Sequence, residues 1–474
     1  MRGARITSNS AIVGACLAIA ALTLLAPHAP GYDPWSWLVW GRELAQGGLD
    51  TVDGPAFKPL PVFVDAGLWR LAGDDAAPDL WLMLSRAGAL AGAGLAARLA
   101  FRLAGRSRVA GLVAGVGVLL TAGYSWHGAV GSGEGAALAF GALAVGLGLD
   151  GRHRPALAAG AALALLRPES WILLASYAAW VGRRDEARRL WIAGGAVAVL
   201  ALWFVPEWVG SGDLLRSGDR ARVPNAGAPA TADVPALAAL RAGLALPLLP
   251  LLLGALAAPG RARVPALLGL VWIAEVALMA QLLGTSGEPR YSLPGAALIA
   301  VSGAVGGVVL ARRVRRAGRG ALHAGPAVRG ARRVRLRGRS DVEGASAGWG
   351  AGRWLAAAAL AVVLVVAAGV RAGGTLGELR RAADQAELTA ALPVAITAAG
   401  GRVRVLACGR PVTGRFRGPA VAWALGVSKR VVQTPTGAGG AVLRSRLRRS
   451  ARVEPAAPPG ARLLATSERW RVEC

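Results

Sequence analysis

Charged side chains stand at the edges of apolar runs along this chain, and their types and order decide what chemistry it could perform. Asp33 follows the first apolar run in GYDPWSW, Lys58 lies in FKPLP, and Glu134 opens SGEGAALAFGAL. Arg167 and Glu169 flank Pro168 in LLRPESW, and Glu288, Arg290 and Tyr291 fall together in GEPRYSLP. A carboxylate can take a proton from a hydroxyl, while lysine, arginine and tyrosine can offer directional donors to a phosphate. Arg86 lies within an apolar block, where an unpaired charge is costly, so it is expected to face a carboxylate or a polar cavity. Arg216, with Asp213, Arg220 and Arg222, belongs to a loop where retained basic residues point to an anionic ligand, or simply to solvated backbone.

Each position also has a plain structural reading. Asp33 before Pro34 is placed to cap a helix lying along the membrane surface, with Trp35, Trp37 and Trp40 in the interfacial belt. Glu134 suits the dipole of the helix it begins, Lys58 can equally snorkel, and Arg167 and Glu169 can pair with each other. The sequence holds no metal-spaced His/Cys set, no Ser/His/Asp arrangement and no Walker or dinucleotide glycine motif.

The elements that must position these groups are membrane helices. The chain has 474 residues, 54% hydrophobic, and its mean hydropathy is +0.46. Apolar runs predict about eleven helices, at 11–27, 79–101, 109–124, 134–150, 155–166, 170–182, 190–205, 235–258, 264–283, 292–311 and 354–370. The fold expected is an all-α polytopic bundle of transmembrane helices. The runs within 155–182 are short for full spans, so a broken or re-entrant helix is expected there.

The net charge of +27 is carried mostly by arginine in short segments between apolar blocks, the pattern of charges that set topology rather than of a nucleic-acid surface. With the N-terminus cytoplasmic, the arginines at 102–108, 152–154, 183–189, 261–263 and 312–339 all fall inside. The outside then receives Asp33, Lys58, Glu134, Arg167 and Arg290 together. Residues 1–311 form the core, 312–353 a basic cytoplasmic linker suited to anionic headgroups, 354–370 a last helix, and 371–474 a small extracytoplasmic α/β domain. In that domain RVRVLACG reads as a strand, and Cys408 and Cys474 either form a disulfide in an oxidising compartment or stay as buried thiols.

The arrangement resembles the GT-C superfamily of integral-membrane glycosyltransferases, which use polyprenyl-phosphate sugars. The matching pieces are GYDPWSW, KPLP, LSRAGALAG, SGEGAALAFGAL, LLRPESW and EPRYSLP, in order and on one side across residues 11–311. The resemblance implies a transferase of the cell envelope in a bacterial plasma membrane, mannosyl- or arabinofuranosyltransferase-like, acting on an extracytoplasmic glycan, lipid or protein. It implies Asp33 as catalytic base, Glu134 as an assisting acid residue, and Lys58, Arg290 and Tyr291, joined by Arg216, around the donor phosphate. Arg86, Arg167, Glu169 and Glu288 would position these groups. Asp33 stands alone where better-known members carry an acidic pair, which leaves metal dependence open: no cofactor is certain, and a divalent cation is possible. The alternative is a transporter or lipid flippase, which should show internal repeats and midplane charges; neither is evident.

Overall fold

The computed structural model describes residues 13–323, 343–434, 440–457 and 459–474. The chain is mainly helical. Its helices are α1 (Val13–Leu25), α2 (Tyr32–Ala45), α3 (Pro59–Leu103), α4 (Arg108–Leu119), α5 (Tyr124–Ala129), α6 (Glu134–Leu149), α7 (His153–Ala164), α8 (Trp171–Arg184) and α9 (Arg189–Ser211). They continue with α10 (Arg216–Ala221), α11 (Pro235–Leu244), α12 (Leu249–Ala255), α13 (Val264–Leu283), α14 (Leu293–His323), α15 (Glu343–Ala398), α16 (Gly401–Ala407) and α17 (Gly418–Leu425).

Among the described residues, four stretches are long and apolar enough to cross a membrane, or up to six if each bent pair counts as one. The difference from about eleven has a physical source. Several apolar runs form helices such as α4 and α7, of 12 residues each, shorter than the roughly 20 residues needed for a perpendicular span. The run at 235–258 is bent by 97° between α11 and α12. Conversely, α3 begins 20 residues before the expected helix at 79 and bends at Gly73, whose φ of 68° with ψ of −168° suits only glycine.

The first connection is not a surface helix. Every residue of α2 from Pro34 to Arg42 is buried, and Trp37 and Trp40 are 1% and 0% exposed. Trp37 packs edge-on against Trp81 of α3, Trp40 against Phe57, and Trp35 against Trp423 of α17. At Gly41, α2 approaches α3 so closely that a Cβ would lie 2.8 Å from the backbone nitrogen of Ala66. The tryptophans thus form an internal core, not an interfacial belt.

That core is shared with the C-terminal domain. Leu388 and Leu392 of α15, Val421 and Trp423 of α17, and Leu443, Trp470 and Val472 join the tryptophans of α2 in one hydrophobic cluster. A second cluster lies in the bundle, where Ala93, Ala96 and Ala100 of α3 meet Ala296, Ala300 and Ala304 of α14. The domain's sheet consists of β1 (Val412–Thr413), β2 (Val442–Arg446), β3 (Val453–Glu454), β4 (Leu463–Thr466) and β5 (Trp470–Glu473), ordered β1-β2-β5-β4 with β3 on β2. β1 runs parallel to β2, and the other pairs are antiparallel. A disulfide joins Cys408 to Cys474.

Two boundaries differ from expectation. RVRVLACG lies in and just after α16, because Gly400 and Gly401 restart a helix after the bend that ends α15. The helix α15 also runs unbroken through residue 371, so the last apolar run and the start of the domain are one rod. Of the expected linker, 324–342 lies outside the described residues, while α14 extends to His323.

Candidate active site

The helix α2 starts with Gly31 as its N-cap, so Asp33 is not the cap; it lies in the first turn and makes no side-chain capping bond. Its carboxylate turns to the α13–α14 junction, where Arg290 Nη1 donates to Asp33 Oδ2 at 2.8 Å. Arg290 Nε lies 2.9 Å from Glu288 Oε2 on its other side. Burial alone would push the Asp33 carboxyl up, but the charges of Arg290 and Lys58 outweigh it and hold the group below the usual carboxylate range. Asp33 is therefore ionised, and Oδ1 accepts no hydrogen bond among the described residues.

Pro59 and Pro61 set the entry to α3 and leave Lys58 extended at its N-cap. Lys58 is 9% exposed, and its ammonium lies 5.2 Å from the Trp37 ring centre. It makes neither an ion pair nor a hydrogen bond among the described residues. Burial, with the Arg167 charge, lowers Lys58 to about 8, against the opposing pull of Glu134 and Asp33. A buried ammonium with no carboxylate in contact is expensive, and it marks a place for an anion.

Around this pair stands a buried scaffold. Proline at 168 breaks the chain between α7 and α8, holding Arg167 extended so that it donates to Glu134 at the start of α6. Arg167 also lies 3.8 Å from Glu169 and 5.1 Å from the Tyr291 ring centre. The Arg290 guanidinium stacks over the same ring at 5.2 Å. Tyr291 is thus clamped between two arginines, and its hydroxyl accepts from Ser286 at 3.3 Å. Glu134 Oε2, Glu169 Oε2, Arg167 Nε and Trp37 Nε1 are buried and have no hydrogen-bond partner among the described residues.

The structure draws together Asp33, Lys58, Glu134, Arg167, Glu169, Glu288, Arg290 and Tyr291, and separates two expected members from them. Arg86 contacts no carboxylate among the described residues. It donates through Nε and Nη2 to the Ala129 carbonyl and through Nη1 to Thr23, tying α3 to the ends of α5 and α1. Arg216 is already paired: Nε donates to Glu207 at 2.7 Å, Nη2 reaches the Pro55 carbonyl, and the guanidinium lies over Trp40. Ser217 donates to the same glutamate and accepts from the Phe57 N–H at 2.7 Å, while Arg220 donates to the Gly54 carbonyl. This segment is a buckle over residues 54–57, the strap that ends at Lys58.

Three side chains at the site have no motif to announce them. His127 is neutral, since burial lowers it to about 4 despite the nearby Glu134 charge. Tyr32, beside Asp33, meets Phe416 of the C-terminal domain edge to face at 5.9 Å. Phe416 is 48% exposed and has φ of 65°, a left-handed backbone that a bulky residue rarely adopts outside functional sites. Among the described residues no group of three His, Cys, Asp or Glu side chains could hold a metal ion.

No protein-family model matches the chain, and no curated protein matches it. Among solved structures, it is similar to the crystal structure of ArnT from Cupriavidus metallidurans bound to undecaprenyl phosphate. The TM-score is 0.54 and the identity 16%, over 98% of this chain and 98% of that one. The apo state of the same protein gives a TM-score of 0.53 at 16% identity, over 99% and 98%. The likeness spans bundle and C-terminal domain alike, and it shows that the two proteins share a fold.

Proposed function

We propose that this protein is an integral-membrane glycosyltransferase that moves a sugar from a polyprenyl-phosphate donor to a hydroxyl of an extracytoplasmic glycan, lipid or protein. The observation that carries the reading is the unpaired buried ammonium of Lys58 beside Arg290 and the ionised Asp33. The fold adds support, because the similar ArnT is bound to undecaprenyl phosphate.

In this mechanism the donor phosphate docks on Lys58 and Arg290, with the polyprenyl tail in the bilayer. Asp33 Oδ1 takes the proton of the acceptor hydroxyl as its oxygen attacks the anomeric carbon. The bond from that carbon to the phosphate oxygen breaks with inversion, and the electron pair leaves on the phosphate. The product is a phosphate monoester with a second pKa near ~6, so departure needs no general acid. Lys58 and Arg290 stabilise the charge that grows on the leaving oxygen. Arriving phosphate also offsets the two cations that hold Asp33 acidic, which raises its basicity when a base is needed.

Glu134 is assigned to positioning, since it is committed to Arg167. Arg167, braced by Glu134 and Glu169, in turn stacks on Tyr291, on which Arg290 also rests. Tyr32 and Phe416 form an aromatic wall on which an acceptor sugar can rest beside Asp33. The orientation that goes with this reading is a cytoplasmic N-terminus and an extracytoplasmic C-terminal domain, where the Cys408–Cys474 disulfide would meet an oxidising medium. The chain's own charges suffice for every step above.

The test is sugar transfer by purified protein from a synthetic polyprenyl-phosphate sugar, with native mass spectrometry of the co-purified lipid. Release of polyprenyl phosphate matched by glycosylated product supports the reading. Translocation of the lipid between leaflets without transfer would favour a flippase instead.

A further inference from the structure

Away from this site, the outer face of the C-terminal sheet carries a charged cavity. Alternation along β2 and β5 sends Leu443, Ser445, Trp470 and Val472 to the core and leaves Arg444, Arg446 and Arg471 on the other face. The register places Arg444 directly opposite Arg471, with Thr466 of β4 beside it. Like charges facing each other across two strands are destabilising unless something offsets them.

A cavity of about 390 Å³ opens among Arg444, Arg446, Arg449, Arg469 and Arg471, with Glu468 the one acidic residue of its lining. The nearby carboxylates do not use up these cations. Glu473 pairs with Arg444, Asp384 and Glu387 of α15 are shared by Arg449 and Arg469, and Glu468 lies 3.9 Å from Arg449. Arg469 Nη2 is nonetheless buried without a hydrogen-bond partner among the described residues. Arg446 donates only to the Arg449 carbonyl, and Arg471 makes no side-chain bond among the described residues. Guanidinium groups converging on a pocket of this size suit a tetrahedral dianion bound by paired N–H donors.

We propose that this cavity binds a phosphate ester or pyrophosphate group. Such a group could be carried by the acceptor or by the headgroup of an anionic lipid. The first source rests on the transferase reading; the binding itself does not. Through Asp384 and Glu387 the cavity is fastened to α15, the rod that joins the domain to the bundle, so a ligand held there has a fixed place relative to Asp33.

The experiment titrates inorganic pyrophosphate calorimetrically into full-length protein in neutral detergent, in a Lys58→Ala background that silences the proposed donor site. Binding should persist there and weaken at least about tenfold when Arg446→Gln and Arg471→Gln are added; both side chains are exposed, so the fold should survive. Equal affinity with and without the two arginines, or no binding in the Lys58→Ala protein, overturns the proposal. Two further arms name the source, with Lys58 intact. A raised acceptor KM with an unchanged donor KM places the phosphate on the acceptor. Reduced association with phosphatidylglycerol-containing but not phosphatidylcholine vesicles places it on lipid. If no protein transfers sugar while pyrophosphate binding still depends on Arg446 and Arg471, the transferase reading fails and this one stands.

Discussion

At the scale of residues, the site is an imbalance of charge: one carboxylate already held by an arginine, and one lysine with no carboxylate in contact. The imbalance gives a pH dependence with a definite sign. Lys58 is lowered to about 8, so in the free protein it loses its charge as pH rises through that value. The kcat/KM for donor should therefore fall above about pH 8 with a slope near one, while Lys58→Arg, charged throughout, should lack that limb. A wild-type profile that stays flat well above pH 8 would remove Lys58 from phosphate binding. Asp33, held below its usual range, adds no limb near neutrality. Phe416 yields a second test, because its left-handed backbone is relieved by glycine and not by alanine. Phe416→Gly should be more stable than Phe416→Ala by roughly 1–2 kcal/mol, read as a higher Tm. Both should show the same rise in acceptor KM. Activity that tracked Tm instead would make Phe416 a packing residue only.

At the scale of elements, the strap that ends at Lys58 depends on the α9–α10 buckle. Ser217→Ala leaves the Phe57 N–H without its acceptor, at a cost of about 1–3 kcal/mol, and should raise donor KM more than it lowers kcat. An unchanged donor KM at lowered Tm would show that the buckle stabilises the protein without placing Lys58. This buckle also shows where sequence reading stops. Arg216 reads as a phosphate ligand because it is a cation in an outer loop, and its partner Glu207 is hidden by Pro206, which suggests a helix end where α9 runs on to Ser211. The tryptophans of α2 mislead for a related reason. Their local pattern fits a membrane surface, but the elements that bury them lie at Phe57, Trp81 and Trp423, and the last of these is hundreds of residues away. Asp33, Arg167, Glu169 and Arg290 were legible because each sits where a proline or a glycine breaks an apolar run, and such breaks are visible in one dimension. Tyr32 with Phe416 was not, since neither residue breaks a pattern.

At the scale of the whole molecule, bundle and C-terminal domain share one core, so the domain cannot be treated as an appendage. The disulfide closes a segment of 66 residues at the chain's end. Replacing Cys408 and Cys474 by serine should cost about 2–5 kcal/mol and lower Tm, with the chain end that follows β5 the first region to gain hydrogen exchange. Exchange confined to the bundle would contradict the shared-core description. The membrane character of the fold was legible from the apolar runs, yet the number of full spans was not, because length and hydropathy cannot tell a short buried helix from a crossing one. Sugar transfer as proposed depends on Asp33 acting as base on an acceptor hydroxyl. The most direct measurement is initial-rate sugar transfer from a synthetic polyprenyl-phosphate sugar by wild type, Asp33→Asn and Asp33→Ala, with donor binding measured in parallel. The account predicts that both variants still bind donor and lose roughly 10²–10⁴-fold in kcat, giving an inverted product at residual rate. Full activity in both variants would contradict it.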